Sequence, residues 1–474
     1  MKNYDATTGI DQLNGQSLEN FQAVFGGSLV SSNDSNFDDI RQLWNRMINK
    51  KPGLIAQCTG VQDVILAVNF ARNNNLIVSV RGGGHNVAGN AMIDDGLVID
   101  LSRMRSVLVN PTAKTAIVQG GANWGDVDHE TQAFGLACAG GVVSDTGVGG
   151  LTLGGGLSWF RRKVGMSIDN LIGADMVLSD GSYVHASESE NQDLFWAIKG
   201  GGGNFGVITS FHFKLHELGP EVMMVACMYP RAEAEKIMKF WVEFTRDLPD
   251  EITSDCIHWS IPEHPGFPPE LQNKQVTVLA SMYFGSAEEG EKVLQPLREV
   301  ATPLLDLSGI IPYTAVNKMF DPFLVKGTLN SYWKSLYVKD IDEDLLQLIV
   351  NKANQSPSSS SLISIRNLHG ALSRVSEEET AFGDRSARFL VSIDTMWTDD
   401  SENDTCIQWT REFFDELQEY SNGQVYFNFN SDMTGSDDLA GDSYGSNYDR
   451  LIDIKTKYDP DNFFRINANI KPKS

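Results

Sequence analysis

Glycine is crowded into three places in the first half of this chain. They are Gly82, Gly83 and Gly84; then Gly140, Gly141, Gly147, Gly149, Gly150, Gly154, Gly155 and Gly156; then Gly200, Gly201, Gly202 and Gly203 with Gly206. Lacking a Cβ, such backbone can approach a ligand closely and turn successive N–H groups inward. These nests hold phosphate without help from Lys or Arg. One cluster alone is commonly a plain turn. Three in one region point to a single long phosphate-bearing ligand, such as a dinucleotide. His85 follows directly on the first cluster and, taken by itself, could be a simple loop residue.

Two familiar phosphate folds do not fit. A Rossmann site needs G-x-G-x-x-G to open a helix after a strand. Here the residues after His85 are turn-rich and lead to another strand. A Walker loop needs Lys and then Ser or Thr after its last glycine, and no stretch supplies them.

The elements that would position these loops are mixed α and β. Thr59 and Gln62 read as a capping box, followed by helical spacing over residues 61–71. Strands are expected at 76–80, 97–101 and 115–119. Asp180-Gly181 between apolar runs signals a hairpin, and alternation from Val207 to Leu215 reads as a half-buried strand. The middle of the chain has no glycine cluster, carries a helix near 232–246 and a Ser-rich loop at 356–361, and reads as a substrate-covering domain. The tail has a polar loop at 431–445 and an amphipathic helix at 447–458. Its Phe463, Phe464, Ile466 and Ile470 would pack back on the first domain. The expected division is 1–218 (core about 50–218), 219–424 and 425–474.

The 474 residues are 41% hydrophobic, enough for two or three domains. A net charge of −24 with no basic run disfavours nucleic acid and anionic lipid as partners. The first ten residues are polar and no apolar run would span a bilayer, so a cytoplasmic protein is expected. Five cysteines without CxxC spacing suggest buried thiols, and no metal is expected. Oligomeric state is not legible.

Four ordered stretches carry a resemblance: VRGGGHNVAG at 80–89, GVVSDTGVGGLTLGGG at 141–156, DLFWAIKGGGGNFGVI at 193–208, and NYDRL at 447–451 with YDPDNFFRINANI at 458–470. Together they resemble the berberine-bridge-enzyme-like family of the vanillyl-alcohol-oxidase flavoprotein superfamily. The match is nearest to mono-covalent bacterial members such as hydroxynicotine-oxidase-like enzymes. The resemblance implies an α+β fold: a PCMH-type two-lobed FAD-binding domain plus an α/β substrate domain with a sheet over the flavin. It implies FAD contacts from Arg81, Gly82, Gly83, Gly84, His85, Asn86, Gly141, Thr146, Gly147, Val148, Gly150, Gly154, Val207 and Asn469. It also implies a covalent bond from His85 to the flavin 8α-methyl group. Many members add a second bond from cysteine, but Val143 stands in that place and Cys138 lies five residues too early. A single bond is expected.

In many relatives the second tyrosine of a Tyr-x-Asn-Tyr segment is the catalytic base. Here the segment is YFNF at 426–429, so Phe429 cannot take a proton. Tyr426 and Asn428, placed on one face by strand alternation, become the candidates, and Tyr426 as simple packing stays open. Arg366 and His369 lie in a segment that could face the flavin, with a structural or surface role expected for each. His129 reads as a solvated helix residue. In relatives the residue after the glycine of the second loop gates oxygen, and Val148 there favours O2. The expected activity is an oxidase drawing hydride from a small or medium alcohol or amine and giving H2O2. A dehydrogenase using another acceptor, or a flavin-binding protein with little turnover, are the alternatives.

Overall fold

The computed structural model describes residues 15–432, 441 and 443–473; the first ten residues and most of the 431–445 loop lie outside them. Four strands, β1 (Ser28–Val30), β2 (Leu54–Gln57), β3 (Val78–Arg81) and β4 (Leu97–Asp100), form a sheet in the order β1-β2-β4-β3. β4 runs parallel to β2 and β3. Crossover helix Val61–Asn73 buries Val64, Ala67, Val68 and Ala71 against it, the apolar stripe expected of a helix packed on a sheet. Its start differs from the expected capping box. Gly60 is the cap residue, and Thr59 donates both its N–H and its hydroxyl to Asp63, not Gln62. Carboxylate at the third position outcompetes the amide one residue earlier because it reaches back over the first turn.

β5 (Val107–Asn110), β6 (Thr115–Gln119), β8 (Leu171–Val177), β9 (Tyr183–Ser187) and β10 (Val207–Lys214) make a second sheet, ordered β5-β6-β10-β8-β9. β7 (Leu136–Ala137) pairs with β11 (His216–Glu217) as a small ribbon. The Asp180-Gly181 hairpin is present, with Gly181 at φ +84°. One face of this sheet packs Ala174, Met176, Phe211 and Phe213 into a core.

The third sheet is built from β12 (Glu221–Pro230), β13 (Ile252–Ser260), β14 (Gln275–Tyr283), β15 (Leu305–Asp306), β16 (Gly309–Pro312), β17 (Asn330–Val338), β18 (Leu362–Asn367) and β19 (Phe389–Trp397). Its pairings are all antiparallel. Helices Ala234–Phe244 and Glu343–Asn354 cover one face through Trp241, Leu345 and Ile349. The other face looks toward the glycine loops.

The tail returns to the first part of the chain. Helix Tyr448–Tyr458 buries Leu451 and Ile454 in the second-sheet core, joined by Ile470, while Phe463 and Phe464 enter the first-sheet core. The fully buried Lys455 fixes this return. Its Nζ donates to Asn204 O (2.7 Å), Asp459 Oδ2 (2.7 Å) and Phe464 O (2.9 Å). Among the described residues no helix is long and apolar enough to cross a membrane.

Candidate functional site

The three glycine clusters meet at one cavity of about 330 Å³. Gly82, Gly83, Gly84, His85 and Asn86 line it from the β3 loop; Thr146, Gly147, Gly149, Gly150 and Gly154 from the second; Gly200, Gly202, Gly203 and Gly206 from the third. Their convergence requires the missing side chains. A Cβ on Gly83 would sit 2.5 Å from both the Cα and the N of Gly147, far inside contact distance. Gly200, at φ +119°, would put a Cβ 2.6 Å from Phe382 N.

His85 stacks on Trp44 at 5.5 Å between ring centres and 25° between planes. Its Nε2 is 2.9 Å from Asp145 Oδ1. Trp44 is itself tethered: its N–H bonds Gly84 O, and its indole bonds Leu324 O at 2.8 Å. An aromatic row then runs across the cavity. Trp44 meets Trp333 edge-on at 5.3 Å, Trp333 meets Phe429 at 5.9 Å, and Phe429 meets Tyr426 at 4.9 Å.

Tyr426 and Asn428 do not sit on a strand. Phe427–Phe429 forms a 3-10 turn closed by Phe429 N–H to Tyr426 O at 2.9 Å. The turn still brings the two side chains together: Asn428 Nδ2 donates to Tyr426 Oη (2.9 Å) and to Leu151 O (3.0 Å). The Gly156 N–H also donates to Tyr426 Oη at 3.0 Å. Burial pushes the phenol's pKa up, while these N–H donors pull against it.

The facing wall is the third sheet. Alternate residues Asp255 and Ile257 on β13, Leu362, Ser364 and Arg366 on β18, Asp394 and Met396 on β19, and Trp333 on β17 reach the cavity, as period-two strands require. Arg366, expected to be structural or superficial, therefore belongs to the cavity. Its guanidinium lies 4.6 Å over the Phe429 ring and 3.9 Å from Asp394 Oδ2. Burial raises the Asp394 pKa against the opposing pull of Arg366 and the Ser392 hydroxyl. Deeper in the wall, Arg161 is ion-paired with Asp255.

Five expected contacts fall off the cavity wall. Arg81 turns into the protein, donating to Ile40 O and lying 3.9 Å from Asp100. Gly141 packs against Trp124 and Leu151. Val148 is fully buried in the second core, and its N–H is spent on Ala122 O. The cavity is lined by Val143 and Thr146 of the same loop instead. Val207 points into the first-sheet core, and the wall at the tail is formed by Asn467 and Ala468 rather than Asn469. Outside the cavity too are Cys138, wholly buried, and His369, which faces Ser386 O at 3.4 Å. His129 is exposed beside Glu130.

Trp44, Asn90, Trp333, Asp394 and Asn467 were not anticipated. Asn90 directly follows the first glycine stretch and Asn467 lies in the tail stretch, while Trp44, Trp333 and Asp394 belong to no motif and only the fold assembles them. Among the described residues five buried polar atoms of wall residues have no protein partner: Asn90 Oδ1, Trp159 Nε1, Trp333 Nε1, Arg366 Nη1 and Asn467 Oδ1. Groups so placed need a polar ligand to complete them. Glycine backbone on one side and such donors and acceptors on the other fit a dinucleotide bearing a polar ring system.

The family model described as FAD binding domain matches residues 52–187, and the one described as berberine and berberine like matches residues 425–471. An FAD-linked oxidoreductase of Dictyostelium discoideum is 31% identical over 438 residues, covering 92% of each chain. This chain belongs to the berberine-bridge-enzyme-like FAD-linked oxidoreductases. The oxidoreductase is also 39% identical over 192 residues to (R)-6-hydroxynicotine oxidase of Paenarthrobacter nicotinovorans, 40% of this chain and 42% of that one. A crystal structure of 6-hydroxy-D-nicotine oxidase from Arthrobacter nicotinovorans superposes with TM-score 0.83 at 25% identity, covering 95% of this chain and 98% of that one. The oxidoreductase thus has the α+β, PCMH-type architecture, and FAD is its cofactor. The glycine loops and the return of the tail over Gly203 and Asn204 are the parts of that architecture that would hold it.

Proposed function

We propose that this flavoenzyme is an oxidase that removes a hydride from a C–H beside an alcohol or amine of a small or medium organic substrate, with O2 as electron acceptor and H2O2 as product. The observation that carries this reading is the two-sided cavity, with glycine backbone on one wall and the polar row Ser364, Arg366 and Asp394 on the other. FAD, when bound, supplies the two-electron acceptor.

His85 is the proposed covalent anchor. Its imidazole is on the cavity wall, held by Trp44 from behind, while Cys138 is in the core. The proton leaving the substrate O–H or N–H needs an acceptor. Tyr426 offers a phenol whose anionic form two N–H donors would stabilise. Asp394 offers a carboxylate on the facing sheet. Arg366, between Phe429 and Asp394, would orient a substrate oxygen and keep Asp394 ionised. A charged pair on the wall favours turnover over mere flavin storage.

Oxygen as acceptor draws its support from relatives named as oxidases, among them (R)-6-hydroxynicotine oxidase and glucooligosaccharide oxidase. Val148 stands behind the cavity wall rather than on it, and a dehydrogenase passing electrons to a quinone-like acceptor is the second reading. The test is anaerobic reduction of the enzyme by alcohol and amine panels, followed by mixing with oxygenated buffer. Rapid reoxidation with stoichiometric peroxide supports the oxidase. Reoxidation only by a quinone overturns it.

A further inference from the structure

On the outer face of the second sheet, remote from the cavity wall, Asp175, His185 and His212 come together from three adjacent strands, β8, β9 and β10. Asp175 is the register partner of His185 on one side and of Ser210 on the other, with a bulge between Ile208 and Ser210. That bulge re-aims the following residues, and His212 leans diagonally toward the same carboxylate. His185 Nδ1 is 2.8 Å from Asp175 Oδ1, and His212 Nε2 is 2.9 Å from Asp175 Oδ2. The Ser210 hydroxyl donates to Oδ2 at 2.6 Å, fixing the carboxylate plane. All the potential donor atoms lie within 4.8 Å of one another.

We propose that this His2Asp group is a binding site for one zinc-like divalent transition-metal ion. Two imidazoles and a carboxylate are a donor set that suits Zn2+. A tetrahedral ion with bonds of about 2.0–2.1 Å requires ligand atoms about 3.3 Å apart. Each ring meets a different oxygen of Asp175, so a small opening of both contacts, with the carboxylate turned to offer one oxygen or both, brings the three groups onto one ion. The two imidazoles, 5.3 Å between centres and 52° apart in plane, turn Nδ1 of His185 and Nε2 of His212 toward the two oxygens of one carboxylate. In the metal-free protein each ring turns one nitrogen to the carboxylate; on an ion each neutral imidazole would carry its N–H on the other nitrogen. The strands themselves are rigid, since their other face is packed core. The side chains keep 19–33% exposure, so an ion can enter and a water can fill the fourth position. Such an ion would rivet β9, β8 and β10 at the edge of the FAD-binding half. The sequence gives no warning, because the three residues have no metal-binding spacing and only strand pairing unites them.

The test uses the tag-free, flavin-loaded chain, stripped with chelator and titrated with Zn2+ and Co2+. One Zn2+ per chain at micromolar affinity is expected, with a rise in Tm. Co2+ should give visible bands of a low-symmetry four-coordinate site. His212→Gln and Asp175→Asn should each remove the stoichiometric site and the cobalt bands, while keeping flavin absorbance and the metal-free Tm within a few degrees. His264→Gln, a histidine elsewhere, should change nothing. No stoichiometric binding, or binding that survives His212→Gln, overturns the assignment. A variant that loses flavin is replaced by His185→Gln, and retained binding there overturns it equally.

Discussion

His85 Nε2 lies 2.9 Å from the carboxylate of Asp145, with the imidazole stacked on Trp44. Carboxylate and indole lie against one imidazole that also lines the cavity. Both neighbours restrict how the ring can turn within the cavity wall.

The anchor is checked by acid denaturation. His85→Ala should let yellow colour separate from the precipitated polypeptide and should lower turnover. Cys138→Ala should leave the colour bound. Flavin still attached in the His85 variant would overturn the assignment.

Gly83 and Gly147 give a steric prediction. A methyl group on Gly83 would meet Gly147 at 2.5 Å, backbone against backbone, with no flexible side chain to move aside. Gly83→Ala should separate the two loops and release FAD on gel filtration, with a lower Tm. Gly150→Ala, where nothing lies within 4 Å of an added Cβ, should leave the apoprotein as stable as the parent. The pair of variants separates loop contact from ligand contact.

Tyr426 and Asp394 are distinguished by pH. Burial raises the Asp394 pKa, so its base form is lost as pH falls through a value above the ordinary carboxylate range near ~3.9. If Asp394 takes the proton, kcat/KM falls on that acidic limb, and Asp394→Asn abolishes the limb while lowering kcat by about a hundredfold or more. Tyr426→Phe should then cost far less. The reverse ranking, with an unchanged acidic limb in Asp394→Asn, assigns the proton to Tyr426.

Lys455→Met should be among the most destabilising single changes. It strands the fully buried Asp459 carboxylate, which would retain only the N–H groups of Phe463 and Phe464. Breaking one partner of a buried pair costs about 3–5 kcal/mol. Urea denaturation should show that loss. Because the same ammonium holds Asn204 O beside the third glycine loop, flavin should also dissociate more readily.

The glycine clusters and the tail's aromatics could be understood without a structure, because each is a local demand. A chain that must pass within touching distance of another chain, or of a phosphate, can use only glycine there, and that constraint is written residue by residue. Val143 in the place of a second anchoring cysteine and the missing phenol at Phe429 are visible only through the family resemblance. Individual contacts were less secure, since strand alternation decides them. Arg81 and Val207 belong to motifs whose neighbours line the cavity, yet both point inward.

What only tertiary structure decided is the far wall and the outer face. Trp44, Arg366, Asp394 and Asn467 reach one cavity from separate elements, and Asp175, His185 and His212 meet across three strands. Sequence alone pointed to loops folded around a long phosphate-bearing ligand, because the backbone freedom of glycine is set locally by residue type. Which side chains then confront that ligand depended on register and packing, which are set by contacts between residues hundreds of positions apart.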